Sequence, residues 1–129
     1  MTLSNSADAL MLIDLRKART RFRKDTLHLL GDPSRVLLLI HPEKKLVAIR
    51  AVDRERSGDH SYKIRKNVFT SDFCFEIYST SLVLKLRLLA GGLEAGSYRM
   101  SGRVLPSERA AVFYLSSISR FNSQEHMNE

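Results

Sequence analysis

One plan of elements recurs along this chain, and it restricts the possible folds more than any other feature. The stretches TRFRKDTLHLLGDPSRVLLLIHPEKKLVAIRAV and CFEIYSTSLVLKLRLLAGGLEAGSYRMSGRVLPSERAAVFYLSSI both read as strand, leucine-rich helix ending in Gly, strand, Pro-containing turn and strand. In the first stretch Asp25 can cap a helix of about two turns, which carries Leu27, Leu29 and Leu30 and stops at Gly31 ahead of Pro33. Arg35 to His41 is apolar on both faces, as a central strand is, and Pro42-Glu43-Lys44-Lys45 turns it into Leu46 to Val52. In the second stretch Phe73, Phe75 and Ile77 alternate with Cys74, Glu76 and Tyr78 as in a half-buried strand. Ser79, Thr80 and Ser81 offer caps for a helix through Ala90, which Gly91 and Gly92 end. Leu82, Leu84, Leu86 and Leu88 also alternate with Lys85 and Arg87 as a strand would. The caps, the length and the weak strand preference of leucine-rich runs favour helix, with Leu82, Val83, Leu86, Leu89 and Ala90 as its buried stripe. Ser97 to Leu105 and Ala110 to Ile118 form a hairpin about Pro106-Ser107-Glu108-Arg109.

The pattern reads as an imperfect internal duplication. It predicts an α+β fold in which two βαββ repeats form an antiparallel sheet with two helices on one face, a plan that resembles the saddle of the TATA-binding protein. The expected organisation is a single α+β domain over residues 10–118, with halves at about 10–52 and 62–118 and disordered ends at 1–9 and 119–129. The polar segment Asp53 to Ser61 links the halves. Leu10 to Leu15 and Ala18 to Phe22 are expected to pair around Arg16 and Lys17, and Tyr62 to Val68 to supply an edge strand.

Little in the chain suggests catalysis. The four histidines, His28, His41, His60 and His126, are not spaced to share a metal, and Cys74, the single cysteine, has no partner for a disulfide or zinc pattern. No serine sits in a nucleophile elbow, and Glu43, Asp53, Glu55, Asp59 and Glu108 are scattered over turns. Gly91, Gly92 and Gly96 follow a helix, whereas phosphate-binding loops precede one. The expectation is a protein without enzymatic activity, cofactor or metal. Hydrophobic residues at 43% and charged residues at 27% are ordinary for a globular chain. Val36 to Ile40 and Leu82 to Leu89 fall far short of the ~20 apolar residues of a spanning helix, so no membrane partner is expected. The polar start through Asp8 lacks the pattern of a secretory signal, which points to the cytoplasm.

The net charge of +7 favours an anionic partner. Its local concentration is LRKARTRFRKD, where Arg16, Lys17, Arg19, Arg21, Arg23 and Lys24 occupy nine residues with no acid between Asp14 and Asp25. On a strand Arg19, Arg21 and Arg23 point one way while Ala18, Thr20 and Phe22 face the core. A row of planar, always charged donor forks suits phosphate, so these six are the candidate nucleic-acid-binding residues. The same row also suits an edge strand that cations protect from aggregation. Lys63, Arg65, Lys66, Arg99 and Arg103 can extend the patch, and Tyr62, Tyr78 and Tyr114 are either base platforms or edges of the core.

From LMLIDLRKARTRFRKDTLHLLGDPSRVLLLIHPEKKLVAIRAVDR through Glu76-Ile77-Tyr78-Ser79, SYRMSGRVLPSE and the final strand, roughly residues 10–118, the chain resembles a family of small uncharacterised bacterial proteins. The resemblance implies a shared fold and no particular activity. The first third is also similar in plan to AbrB-type swapped-hairpin transcription regulators, whose strand, basic turn, strand, short helix and hairpin bind DNA as dimers. Asp14, Arg19, Phe22 and Lys24 fall at suitable places, while Ala18 stands where that family usually has Gly and Arg23 where it usually has Pro. The expected function is a non-enzymatic nucleic-acid-binding or regulatory protein. The alternative is a protein-interaction or scaffold module that forms a homodimer or larger homo-oligomer without nucleic acid.

Overall fold

The structure, a computed structural model, describes residues 7–52, 61–65 and 74–120. Its strands are β1 (Ala7–Asp14), β2 (Arg19–Phe22), β3 (Arg35–His41), β4 (Leu46–Val52), β5 (Ser61–Lys63), β6 (Phe75–Tyr78), β7 (Ser97–Leu105), β8 (Ala110–Tyr114) and β9 (Ser119–Arg120). Helix α1 (Lys24–Leu29) lies between β2 and β3, and helix α2 (Thr80–Leu89) between β6 and β7. The strands run in the order β5-β3-β4-β8-β7-β1-β2-β6, every pairing is antiparallel, and β9 adds to β7.

The expected open α+β sheet, two βαββ repeats with both helices on one face, is not what forms. The described residues form mostly antiparallel β structure, curled into a nearly closed, barrel-like path of eight strands, with two α-helices. The reason lies in the pairings. Instead of closing on themselves, the two halves cross: β1 pairs with β7, β2 with β6, β3 with β5 and β4 with β8. Exchanging β1–β4 for β5–β8 turns β1·β7 into β5·β3 and β3·β4 into β7·β8, and leaves β2·β6 and β4·β8 unchanged. The counterpart of β1·β2, a β5·β6 pair, is absent among the described residues, and the path is open there. With strands wrapped around one interior, the other side of the sheet is the outer surface of the barrel-like path and not the open face of a saddle.

Period-two alternation fills that interior. Met11 and Ile13 of β1, Phe22 of β2, Val36 of β3, Val47 and Ile49 of β4, Ile77 of β6, Met100 and Val104 of β7 and Phe113 of β8 join one buried cluster. The helices add Leu27 and Leu30 from α1 and Leu82 and Leu86 from α2. Phe22 packs between Phe75 and Phe113, with ring centroids 6.4 and 5.7 Å away. Thr20 is the inward polar residue of β2, and its Oγ1 donates to the Ile77 carbonyl at 3.4 Å.

Local chemistry explains the element ends, with some departures from expectation. Helix α2 is capped as expected: Ser79 Oγ accepts from the Leu82 N–H at 3.2 Å. Of its predicted stripe Leu82, Val83 and Leu86 are buried, and Leu89 and Ala90 are half-buried. In α1 the N-cap is Arg23, not Asp25, and no side chain caps the helix; Asp25 lies in the first turn. The turns after β3 and β7 each end in a left-handed residue, Lys45 with φ 55° and Arg109 with φ 51°. Their carbonyls lock the two hairpins together, Arg109 O accepting from Ala51 N at 2.8 Å and Lys45 O from Leu115 N at 3.0 Å. At Gly102 strands β7 and β8 approach so closely that an added Cβ would meet the Val112 carbonyl oxygen at 1.7 Å. On the N-terminal side of Gly102, Ser117 Oγ takes over the ladder, accepting from Ser101 N at 2.9 Å, and β9 resumes it against Tyr98 and Arg99.

The edges of the domain also differ in detail. Strand β1 begins at Ala7 and β9 lies at Ser119–Arg120, both within segments expected to be disordered, because the long strand β7 offers partners to each. Strand β5 is three residues long and begins at Ser61, the last residue of the expected 53–61 linker; the rest of that linker, Phe73 and the expected 62–68 strand from Lys66 onward lie outside the described residues.

Candidate nucleic-acid interface

The basic segment begins at the turn between β1 and β2. Asp14 Oδ1 accepts from the backbone N–H groups of Arg16 at 3.0 Å and Lys17 at 3.2 Å, which folds the chain back after β1. Ala18 completes the turn with φ 54°, the left-handed conformation in which glycine is usual. Two further bonds pin the turn to the second half: Leu15 N donates to Gly96 O, and Ser79 N to Ala18 O, each at 2.9 Å. Arg16 and Lys17 are therefore exposed side chains on a fixed backbone.

The six candidate residues differ in exposure and in how firmly they are tied. Arg19, Arg21 and Arg23 do point away from the core that Thr20 and Phe22 enter. Arg19 and Arg21, however, are tied down. Arg19 lies 3.5 Å from Asp14 Oδ2 and 3.4 Å from Glu76 Oε2, and Arg21 Nε lies 3.1 Å from the same Glu76 oxygen. Their side chains keep only 17% and 30% exposure. The register explains this, because Asp14 stands opposite Arg19 across β1·β2, and Glu76 stands opposite Arg21 across β2·β6. Tyr78 adds a hydrogen bond from its hydroxyl to Glu76 Oε1 at 3.0 Å. Arg23 is exposed where the chain enters α1, and Lys24 is half-buried in its first turn. The structure thus separates an exposed pair at the turn, a half-buried ion-paired row, and two residues at the helix entry.

Other cations face outward near this row. Arg99 and Arg103 are exposed on β7, Arg99 opposite Leu12 and Arg103 opposite Asp8 of β1. Lys63 and Arg65 are exposed on or just after β5, at the other end of the strand order from β2 and β6; Lys66 lies outside the described residues. Glu76 is the residue that sequence reasoning missed. Its alternation marked it as outward on a strand, but Arg19 lies 57 residues away in sequence, with Arg21 two residues nearer, and both partners become visible only through the β2·β6 pairing.

The tyrosines fall into three environments. Tyr62 packs against the core, Tyr78 is 63% exposed beside Glu76, and Tyr114 is half-buried on β8. His41 Nδ1 accepts from Lys44 N at 3.2 Å and so serves the β3–β4 turn, and His28 pairs with Asp32 at the end of α1. Among the described residues no three His, Cys, Asp or Glu side chains gather where a metal could be held. No described helix is long and apolar enough to cross a membrane. No family model, curated protein or solved structure matches this chain.

Proposed function

We propose that this chain is a non-enzymatic nucleic-acid-binding or regulatory protein that contacts phosphates through Arg16, Lys17 and Arg23, with Arg19 and Arg21 holding the surface that presents them. The observation that carries this reading is the hairpin turn, where two exposed cations stand on a backbone anchored by Asp14, Gly96 and Ser79. A fixed turn offers its charges without losing loop entropy on binding. The exchange of strand pairings between the halves adds support, because it fits a single-chain counterpart of a swapped-hairpin dimer, in which residues 7–52 and 61–114 act as the two subunits. Both departures from that family's usual residues are compatible with its backbone. Ala18 holds the left-handed conformation that Gly serves, and Arg23 has φ −72°, close to the ~−65° that proline imposes.

The test is binding of the purified chain to random duplex DNA and single-stranded RNA over a salt series, beside a variant carrying Arg16→Ala and Lys17→Ala. Affinity should fall with salt at a log-log slope of about −0.9 for each duplex phosphate contacted. The variant should bind more weakly and with a shallower slope. Salt-insensitive binding, or none at low salt, overturns the proposal.

One feature favours the alternative, a protein-interaction module. On the outward side of β3, β4 and β8, Leu37, Leu39, Ala48 and Val112 form an apolar strip, and Leu39 is 47% exposed. Light scattering that shows a mass rising with concentration, reversed by Leu39→Lys, would support that reading.

A further inference from the structure

A groove opens between a helix and the adjacent strands at two places that the exchange of halves brings into correspondence. The first lies between α1 and strands β1 and β7 and encloses roughly 610 Å³; the second lies between α2 and strands β5 and β3 and encloses roughly 280 Å³. The fold makes both, and the side chains then set them apart. The smaller groove carries Ser79, whose hydroxyl already caps α2 and lies 3.3 Å from the Ser81 hydroxyl. Its lining carries one cation, the exposed Lys85, and no carboxylate.

The larger groove is furnished differently. Arg23, Asp25, Asp8 and Arg103 line it together with Leu29 and Tyr114. Arg103 stands opposite Asp8 in the β1·β7 register, and Arg23 is two residues from Asp25, yet no ion pair closes among these four. The groove therefore presents two cations, two carboxylates and an apolar and aromatic wall, with the charged groups still able to take outside partners.

From this set we infer that the α1–β1–β7 groove seats one nucleotide of a single strand, its phosphate on Arg23 and Arg103 and its base against Leu29 and Tyr114. This rests on the nucleic-acid reading above and extends it to a second contact surface. Guanidinium forks are suited to phosphate oxygens. An aromatic and aliphatic wall suits the face of a base. The carboxylates select among bases, since an ionised carboxylate only accepts hydrogen bonds and so favours an edge bearing N–H donors. Guanine presents two such donors side by side and uracil presents one. The volume falls within the ~300–1,000 Å³ usual for small-ligand sites, whereas a duplex is too wide to enter.

The experiment follows backbone amide NMR signals of the full chain during titration with guanosine 5′-monophosphate and, separately, uridine 5′-monophosphate. Binding of a short single-stranded RNA is measured in parallel for the wild type, Arg103→Ala and the Arg16→Ala/Lys17→Ala pair. Guanosine monophosphate should shift the signals of Leu29, Arg103 and Tyr114 at lower concentration than uridine monophosphate. Arg103→Ala, at an exposed position, should keep the wild-type spectrum elsewhere and weaken both mononucleotide and RNA binding by about tenfold, the size of one lost charge-assisted hydrogen bond. RNA binding that persists unchanged in Arg103→Ala, with mononucleotides leaving the groove signals still, overturns the groove and leaves the turn as the contact. Absence of RNA and mononucleotide binding at any salt concentration overturns both.

Discussion

Residues 7–52 and residues 61–114 meet the same geometric demands with different chemistry. Among the described residues each contributes four strands and an α-helix to the barrel-like sheet, and in each the turn between the last two strands, β3–β4 or β7–β8, ends in a left-handed residue whose carbonyl accepts a backbone N–H across the β4·β8 junction. In the first, the strand before the helix carries Arg19 and Arg21, the helix has six residues and no side-chain cap, and the groove beside it is charged. In the second, the corresponding strand carries Glu76 and Tyr78, the helix has ten residues with a serine cap, and the groove is lined by apolar and hydroxyl side chains with Lys85 as its one cation. Shared architecture resides in the inward residues and the turns. The divergence lies in outward positions, where packing makes no demand and a ligand or partner can.

The sharpest way to break the comparison is to attack what the halves share. Phe22 is fully buried between Phe75 from the other half and Phe113. Phe22→Ala should cost about 3–5 kcal/mol and unfold both halves in one transition, as chemical denaturation monitored by circular dichroism would show. Two separate transitions would mean that the halves are stable apart.

Glu76 is where the two chemistries meet. Glu76→Ala removes the carboxylate common to Arg19 and Arg21 and leaves two half-buried guanidiniums poorly paired, at an expected cost of about 1–2 kcal/mol in the same denaturation experiment. It should also strengthen nonspecific, salt-sensitive DNA binding, since two more cations become available. Weaker DNA binding in a variant that remains folded would show that the ion-paired row must stay rigid to present the turn.

The helix entries provide the smallest and most symmetrical contrast. Ser79→Ala deletes the cap of α2 and should cost about 1 kcal/mol, while Arg23→Ser adds a capping hydroxyl to α1 and should gain about 0.5 kcal/mol. Thermal melts of the two variants should therefore move in opposite directions. A loss in Arg23→Ser would mean that its guanidinium, despite being exposed, supports the helix entry.

Much of the element-level structure was legible because it depends on neighbours along the chain. Alternation turned Thr20 and Phe22 toward the core and set Phe75 and Ile77 apart from Glu76 and Tyr78, and Ser79 with Gly91 bounded the helix that a strand-like leucine alternation had left ambiguous. Arg16 and Lys17 could be placed at a hairpin turn for the same reason. What local pattern could not supply was the partner of each strand. An alternating strand specifies which face is buried, but it pairs equally well in an open saddle or a closing barrel. The choice came from contacts between distant segments, β1 with β7 and β2 with β6, that bring Met11, Ile13, Phe22, Ile77, Met100 and Val104 into one interior. The same pairings divided the basic run, because Glu76 reaches Arg19 and Arg21 only across β2·β6 while Arg16, Lys17 and Arg23 lie beyond its reach. Local sequence was enough to turn Arg19, Arg21 and Arg23 outward on a strand; their availability to a ligand depended on the charge that the tertiary fold set beside each one.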